Sequence, residues 1–266
     1  MYQQHFGLTH APLGNDNPAP LWDDGRQAQL KERFQWILDS PGIGLMTGEA
    51  GVGKTALLRQ LTQDLNPHRY HVIYLPETDF GRIDIYRGLA LALGLEPAYR
   101  RAQLWRDLKQ HIQTRVETQQ QLPIWIIDEA QNLPREFFRD FPAFLNFAFD
   151  TRNLMTVWLV GLPILANTLS REPYAALNSR IQMRLRLQAI SDPEHYKSLI
   201  EHAFTSAGCQ QTLLSDTGYH LLRQTTQGNP RTTGLLLTTA LNLATAKGIN
   251  HLPDDLLQEA IEVFRS

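Results

Sequence analysis

Cysteine is almost absent from this 266-residue chain. Cys209 is the only one, so no internal disulfide can form and no pair of thiolates can hold a metal. Its sequence surroundings fit a small residue near a helix end. A strong excess of charge of either sign is also missing. With 25 Lys and Arg against 27 Asp and Glu, the formal net charge is −2 and the pI lies near 6.5. That balance argues against a protein that coats nucleic acid through a uniformly basic surface, but not against a local basic track. No stretch approaches the ~20 consecutive apolar residues that span a bilayer. The first twenty residues, MYQQHFGLTHAPLGNDNPAP, lack the basic start and apolar run of a secretory signal. A soluble, cytoplasmic protein with no membrane segment is the expectation. Internal repeats, low-complexity tracts and sustained heptads are missing as well.

What is present is the composition of an ordinary globular protein, 42% hydrophobic and 20% charged. The length suits one core domain with a small companion. Residues 1–24 are rich in Pro, Asn and Asp and read as an extended arm. From Gly25 to Asp39, Leu30, Phe34, Ile37 and Leu38 recur at helical spacing until Ser40-Pro41-Gly42 stops the helix. A short apolar strand, Ile43 to Thr47, runs into a glycine loop. Ala56, Leu57, Leu58, Leu61 and Leu65 then continue as a helix. Further buried strands are expected at Val72 to Leu75, Ile124 to Ile127, Val157 to Val160 and Met183 to Leu187. Helical patterns near Arg101 to Glu117 and Arg135 to Phe149 separate them. This alternation predicts an α/β core over residues 25–190, a five-stranded parallel sheet flanked by helices. After Ser191 the strand signals stop. Patterns at Pro193 to Ala207, Ser215 to Thr226, Arg231 to Ala246 and Pro253 to Phe264 predict an all-helical domain over residues 191–266.

The most specific motif is Gly48-Glu49-Ala50-Gly51-Val52-Gly53-Lys54-Thr55, which matches GxxxxGK[ST] between a strand and a helix. Glycines let backbone N–H groups and the helix N-terminus close around phosphate without side-chain obstruction. Gly48 to Ala56 are therefore the candidate ATP-binding residues, with Lys54 pairing the β- and γ-phosphates and Thr55 giving its hydroxyl to Mg²⁺. The second motif is an apolar strand that ends in Asp128-Glu129. Asp128 is the candidate Mg²⁺ residue and Glu129 the group that orients or deprotonates the attacking water.

With these residues in place the chain resembles AAA+ ATPases of the ExeA (GspA) type and the related transposition ATPases of the TnsC, TniB and IstB type. HFGLTHAPL (His5 to Leu13), TGEAGVGKT (Thr47 to Thr55) and IIDEAQNL (Ile126 to Leu133) match. WLVGLPIL (Trp158 to Leu165), SRIQMRLRL (Ser179 to Leu187) and GNPR (Gly228 to Arg231) extend the resemblance over nearly the whole chain. It implies a P-loop AAA+ core followed by a small helical lid, with the adenine contacts sought near His5 to Leu13. It implies that Arg180 is an arginine finger reaching the γ-phosphate of a neighbouring subunit; a surface ion pair is the alternative. It implies that Arg231 is a sensor-2 arginine; a solvent-facing first-turn residue is the alternative. One departure stands out. Leu162 lies where the family commonly carries a polar residue, and an alkyl side chain cannot hydrogen-bond water or phosphate. Slow hydrolysis, or a different polar group, is expected.

Other features support blander readings. Phe137, Phe138, Phe141, Phe144, Phe147 and Phe149 fit a buried helical face. Trp125 and Trp158 fit adjacent core strands, and His68 and His71 lack the supporting ligands of a metal site. Between Arg82 and Arg115, seven basic residues face three acidic ones, the most basic candidate surface. Two functions fit the resemblance. One is an ATP-dependent regulator of DNA transposition, a homo-oligomeric ring or filament on double-stranded DNA that recruits or activates a transposase. The other is a secretion-associated ATPase acting on protein or envelope partners. That the chain stops at Ser266 without a membrane segment inclines the expectation toward the first.

Overall fold

The computed structural model describes residues 1–14, 21–76, 81–147 and 152–265. In chain order the helices and strands are α1 (Tyr2–Phe6), α2 (Gln27–Asp39), β1 (Ile43–Thr47), α3 (Lys54–Gln63) and β2 (Tyr70–Leu75). There follow α4 (Asp84–Ala92), α5 (Arg101–Gln119), β3 (Leu122–Ile127), α6 (Arg135–Leu145), β4 (Thr156–Gly161) and α7 (Pro163–Leu169). The last are α8 (Ala175–Asn178), β5 (Ile181–Arg186), α9 (Pro193–Ser206), α10 (Asp216–Thr226), α11 (Pro230–Ala246) and α12 (Asp254–Arg265). The chain groups into two compact units. One is Arg26–Glu49 with Lys54–Leu187; the other is Met1–Gly25, Ala50–Gly53 and Gln188–Ser266.

The first unit holds one five-stranded sheet in the order β2-β3-β4-β1-β5, and every pairing is parallel. Strand sequence follows position. In the inner strands β1 and β4 every residue is buried, so their apolar runs do not alternate. The edge strand β5 does alternate, with Met183 and Leu185 buried and Gln182, Arg184 and Arg186 exposed. The last residues of β1 and β4, Thr47 and Gly161, pair with each other, and Leu159 of β4 pairs with both Leu45 and Ile127, so β3 ends two residues before its neighbours. The residues just beyond them share one edge of the sheet.

The two core tryptophans separate the faces. Trp125 pairs with Val157, which puts Trp158, one residue on, on the opposite side. Trp125 packs edge-on against Phe137 and Phe141, within a cluster that also holds Tyr86 and Phe144. Trp158 stacks on Phe34 of α2 at 5.5 Å, and Gly44 makes room for it. A Cβ at Gly44 would lie 2.6 Å from the indole. The phenylalanine run is accordingly a core face through Phe147; Phe149 lies outside the described residues. Helix α4, which buries Ile85, Tyr86, Leu89 and Ala90 at helical spacing, and the short α7 are not among the expected elements, and α6 ends at Leu145, before the expected boundary.

The second unit is helical. Asp192, Ser215 and Asn229 each accept backbone N–H groups at the starts of α9, α10 and α11. Pro193 and Pro230 occupy first-turn positions, where a missing N–H costs nothing. Tyr196, Leu222, Leu237, Leu241 and Leu257 build its core. The opening segment differs from the expected extended arm: Tyr2–Phe6 form a helix that ends at Gly7 with φ +67°. Phe6 and Leu8 are buried in the same cluster, and Thr9 N donates to Ala207 O at 2.8 Å. Apolar side chains at positions 6 and 8 outweigh the turn-forming composition around them.

Candidate functional site

At the edge where β1 and β3 end, Lys54-Thr55 opens the first turn of α3. Gly53 precedes it at φ +96° with open space where a Cβ would stand, and Gly51 adopts φ +82°. Both are left-handed conformations that side-chain-bearing residues adopt at a cost. Lys54 is buried, and its ammonium donates to Gly48 O at 2.9 Å and Glu49 O at 3.0 Å. A buried cation is tolerated because loop carbonyls solvate it. Ala56 follows Thr55 in the same first turn.

Thr55 Oγ1 donates to Asp128 Oδ2 at 2.7 Å, so the loop and the end of β3 converge on one carboxylate. Tyr74, at the end of β2, donates its hydroxyl to the same oxygen at 3.0 Å, while Glu129 N donates to Asp128 Oδ1 at 2.9 Å. Burial, followed by the negative charge of Asp128, pushes the Tyr74 phenol up to about 12. Tyr74 therefore stays a hydrogen-bond donor across the neutral range. A hydroxyl and a carboxylate oxygen in contact form the hard-oxygen donor pair that Mg²⁺ takes, with its other positions left to water and phosphate. These residues fit the ion.

Asp128 and Glu129 are adjacent in sequence but placed differently. Asp128 is buried, whereas Glu129 is exposed at φ +50°, a left-handed conformation for a non-glycine residue. Glu129 opens a 3₁₀ turn, Ala130–Asn132, from which Gln131 Nε2 donates to Glu129 Oε2 at 2.6 Å. Gln131 Oε1 accepts from Leu162 N at 3.0 Å. The backbone of Leu162, whose alkyl side chain offers no hydrogen bond, thus meets a polar group delivered from another strand end. Tyr74 and Gln131 carry no signal of their own in the sequence. Gln131 lies within the Ile126 to Leu133 match, but only the turn at Glu129 shows where its amide goes.

Arg180 lies at the other end of the sheet. It precedes β5, whose first residue pairs with Ile43, the first of β1. A strand of about six residues at ~3.3 Å each separates it from the phosphate-loop end. Its Nη1 donates to Pro142 O at 3.1 Å, in the last turn of α6, where carbonyls have no helical partner. Beside it a cavity of about 250 Å³ is lined by Gly42, Leu145, Met155, Ser179 and Gln182.

Within the second unit, Asn229 Nδ2 donates to Ala50 O at 2.7 Å and Arg231 N donates to Gly51 O at 3.2 Å. A Cβ at Gly51 would meet Asn229 Oδ1 at 2.6 Å and Arg231 Cβ at 2.7 Å. The GNPR sequence therefore holds loop residues Ala50 and Gly51 through an amide and a backbone group, while the Arg231 residue is exposed. Asn229 is a contributor that the arginine had overshadowed.

The basic stretch is largely engaged internally. Arg82 and Arg101 both pair with Asp140, and Arg101 also lies over the Trp105 ring at 4.3 Å. Arg87 pairs with Asp84 at 2.7 Å. Lys109 donates to Ala143 O and Asn146 O, and Arg115 to Gln121 Oε1. Arg100 and Arg106 are exposed. Among the described residues no cluster of three or more His, Cys, Asp or Glu forms a metal site, and no helix is long and apolar enough to cross a membrane.

Over 252 residues the chain is 26% identical to general secretion pathway protein A of Aeromonas hydrophila, covering 93% of this chain and 46% of that protein. The chain thus spans less than half the length of this curated relative. The fold is similar to the ORC2 protein of Aeropyrum pernix, with a TM-score of 0.70 and 16% identity over 94% of this chain and 70% of that one. It is also similar to Drosophila ORC bound to DNA, with a TM-score of 0.68 and 14% identity over 100% of this chain and 65% of that one. The RuvB Holliday junction branch migration motor of Thermotoga maritima gives a TM-score of 0.55 and 18% identity, over 89% of this chain and 69% of that one. A family model described as an AAA domain matches residues 37–169, half of the chain, from the end of α2 through the phosphate loop and the Asp128-Glu129 strand to the end of α7. The chain belongs to the AAA domain family.

Proposed function

We propose that this protein is a Mg²⁺-dependent ATPase that works as a switch between copies of itself. The observation that carries this reading is the contact of Thr55 Oγ1 with Asp128 Oδ2 at 2.7 Å, with Glu129 next in the chain. Gly48, Glu49, Ala50, Gly51, Val52, Gly53 and Ala56 present backbone to the phosphates, and Lys54 turns its ammonium from loop carbonyls to phosphate oxygens. Thr55 and Asp128 hold Mg²⁺, which when bound neutralises charge on the phosphate oxygens. Glu129, exposed and carboxylate-bearing, orients the attacking water and takes its proton. Arg180 supplies positive charge to the site of the adjacent copy, and Arg231 adds a charge that responds to the γ-phosphate.

For the partner, the reading we carry forward is duplex DNA: ATP-dependent assembly on DNA, with recruitment or activation of a transposase as the output. The motif resemblance to transposition ATPases supports it. A second reading, an ATPase serving secretion machinery, is favoured by the alignment with general secretion pathway protein A over 93% of this chain. Electron microscopy and ATPase assays with and without duplex DNA, in ATP and in a slowly hydrolysed analogue, separate the two. DNA-dependent rings or filaments and stimulated turnover are expected. Indifference to DNA in both measurements would move the protein to the secretion reading.

A further inference from the structure

Gln131 is held at both ends of its amide. The NH₂ group meets a carboxylate, Glu129 Oε2, and the carbonyl meets a backbone donor, Leu162 N, so the donor and acceptor halves are both matched. The surroundings are shaped for this bridge. A Cβ at Gly161 would stand 2.3 Å from Gln131 Oε1, so only glycine leaves room for the carbonyl. The left-handed turn at Glu129 brings its side chain back toward residue 131. Leu162, the bridge's far end, is the residue from which α7 begins, and the chain then runs through α7 and α8 to Arg180 within the same compact unit.

We propose that Gln131 is a positioning residue that ties the Glu129 carboxylate to the end of β4, so that displacement of the Leu162 turn displaces Glu129. The proposal rests on the reading of Glu129 as the hydrolytic carboxylate. It makes Gln131 the polar element at the β4 end that Leu162 cannot supply, and it gives the segment ending in Arg180 a direct connection to the carboxylate that activates water. Misplacement of such a group by about 1 Å is enough to cost about 100-fold in rate.

The test uses two substitutions that break the bridge from different sides. Gln131→Met keeps the volume and removes both hydrogen bonds; Gly161→Ala leaves Glu129 and Gln131 intact and pushes the amide away. Each is expected to lower kcat by about 10- to 100-fold with nucleotide Kd and KM little changed, and the double variant is expected to be no worse than the poorer single. In nucleotide-free protein labelled with ¹⁵N-glutamine, the Gln131 side-chain resonance, assigned by its loss in Gln131→Met, is expected to shift in Gly161→Ala and in Glu129→Gln. Losses that multiply in the double variant, or a resonance unmoved in both, would overturn the proposal. Normal turnover in Glu129→Gln would instead remove the parent reading. A dead Glu129→Gln beside a fully active Gln131→Met would sink only the bridge.

Discussion

Lys54 and Thr55 are neighbours in the first turn of one helix, yet they address different chemistry, a buried ammonium on loop carbonyls and a hydroxyl on Asp128. Replacing Lys54 with Ala removes charge-assisted hydrogen bonds of about 1.5–3 kcal/mol each, and nucleotide affinity is expected to fall by at least about tenfold. A fluorescent-nucleotide titration checks this; unchanged affinity would remove Lys54 from the site. Glu129→Gln is expected to keep nucleotide binding while lowering kcat by about 10²- to 10⁴-fold, the usual range for a positioned general base. Single-turnover measurements read that loss apart from binding. These residues stand out in the sequence because the phosphate and Mg²⁺ contacts proposed for them call for particular residue types within short, contiguous motifs. Gln131, Tyr74 and Asn229 were not legible in the same way. Their roles depend on a left-handed turn at Glu129, on the alignment of β2 with β3, and on a long-range contact with Ala50.

Among the elements, the inner strands were legible because burial on both faces leaves unbroken apolar runs, and β1 is observed over Ile43–Thr47 as expected. The short helices α1, α7 and α8 were not, because fewer than two turns give periodicity nothing to repeat. Close packing between strand and helix makes Gly44 the sensitive point of β1. Gly44→Ala drives a methyl into the Trp158 ring and is expected to cost about 1–3 kcal/mol of stability, read by urea unfolding. A neutral result would show that the indole can move aside. In the helical unit, burial, reinforced by the negative charge of Glu201, pushes the Tyr219 phenol up to about 12. The unfolded chain releases this proton near pH 10 while the folded state keeps it, so stability falls as pH rises from about 10 to 12. Tyr219→Phe is expected to flatten that part of the alkaline melting profile; identical slopes in the two proteins would contradict the shift.

On the scale of the whole molecule, the parallel sheet puts Thr55 and Asp128 at one end of the strands and Arg180 at the other. Arg180→Ala and Glu129→Gln proteins, each inactive alone, are therefore expected to regain part of their turnover when mixed, because each supplies what the other lacks. No recovery at any ratio would leave Arg180 with its contact to Pro142 as a structural role. An arginine finger is worth about 10³- to 10⁵-fold in kcat, so even a small fraction of mixed pairs is measurable. The opposition of the two ends also gives any assembly a direction. Subunits that join donor end to acceptor end do so heterologously, and such contacts close into rings or continue as open filaments. In an open filament one terminal copy offers an arginine to nothing and the other holds a site with no arginine opposite it. With Arg180 acting as proposed, the complete sites in such a filament number one fewer than its subunits, so turnover per subunit is expected to climb with filament length, and only ring closure leaves no site idle.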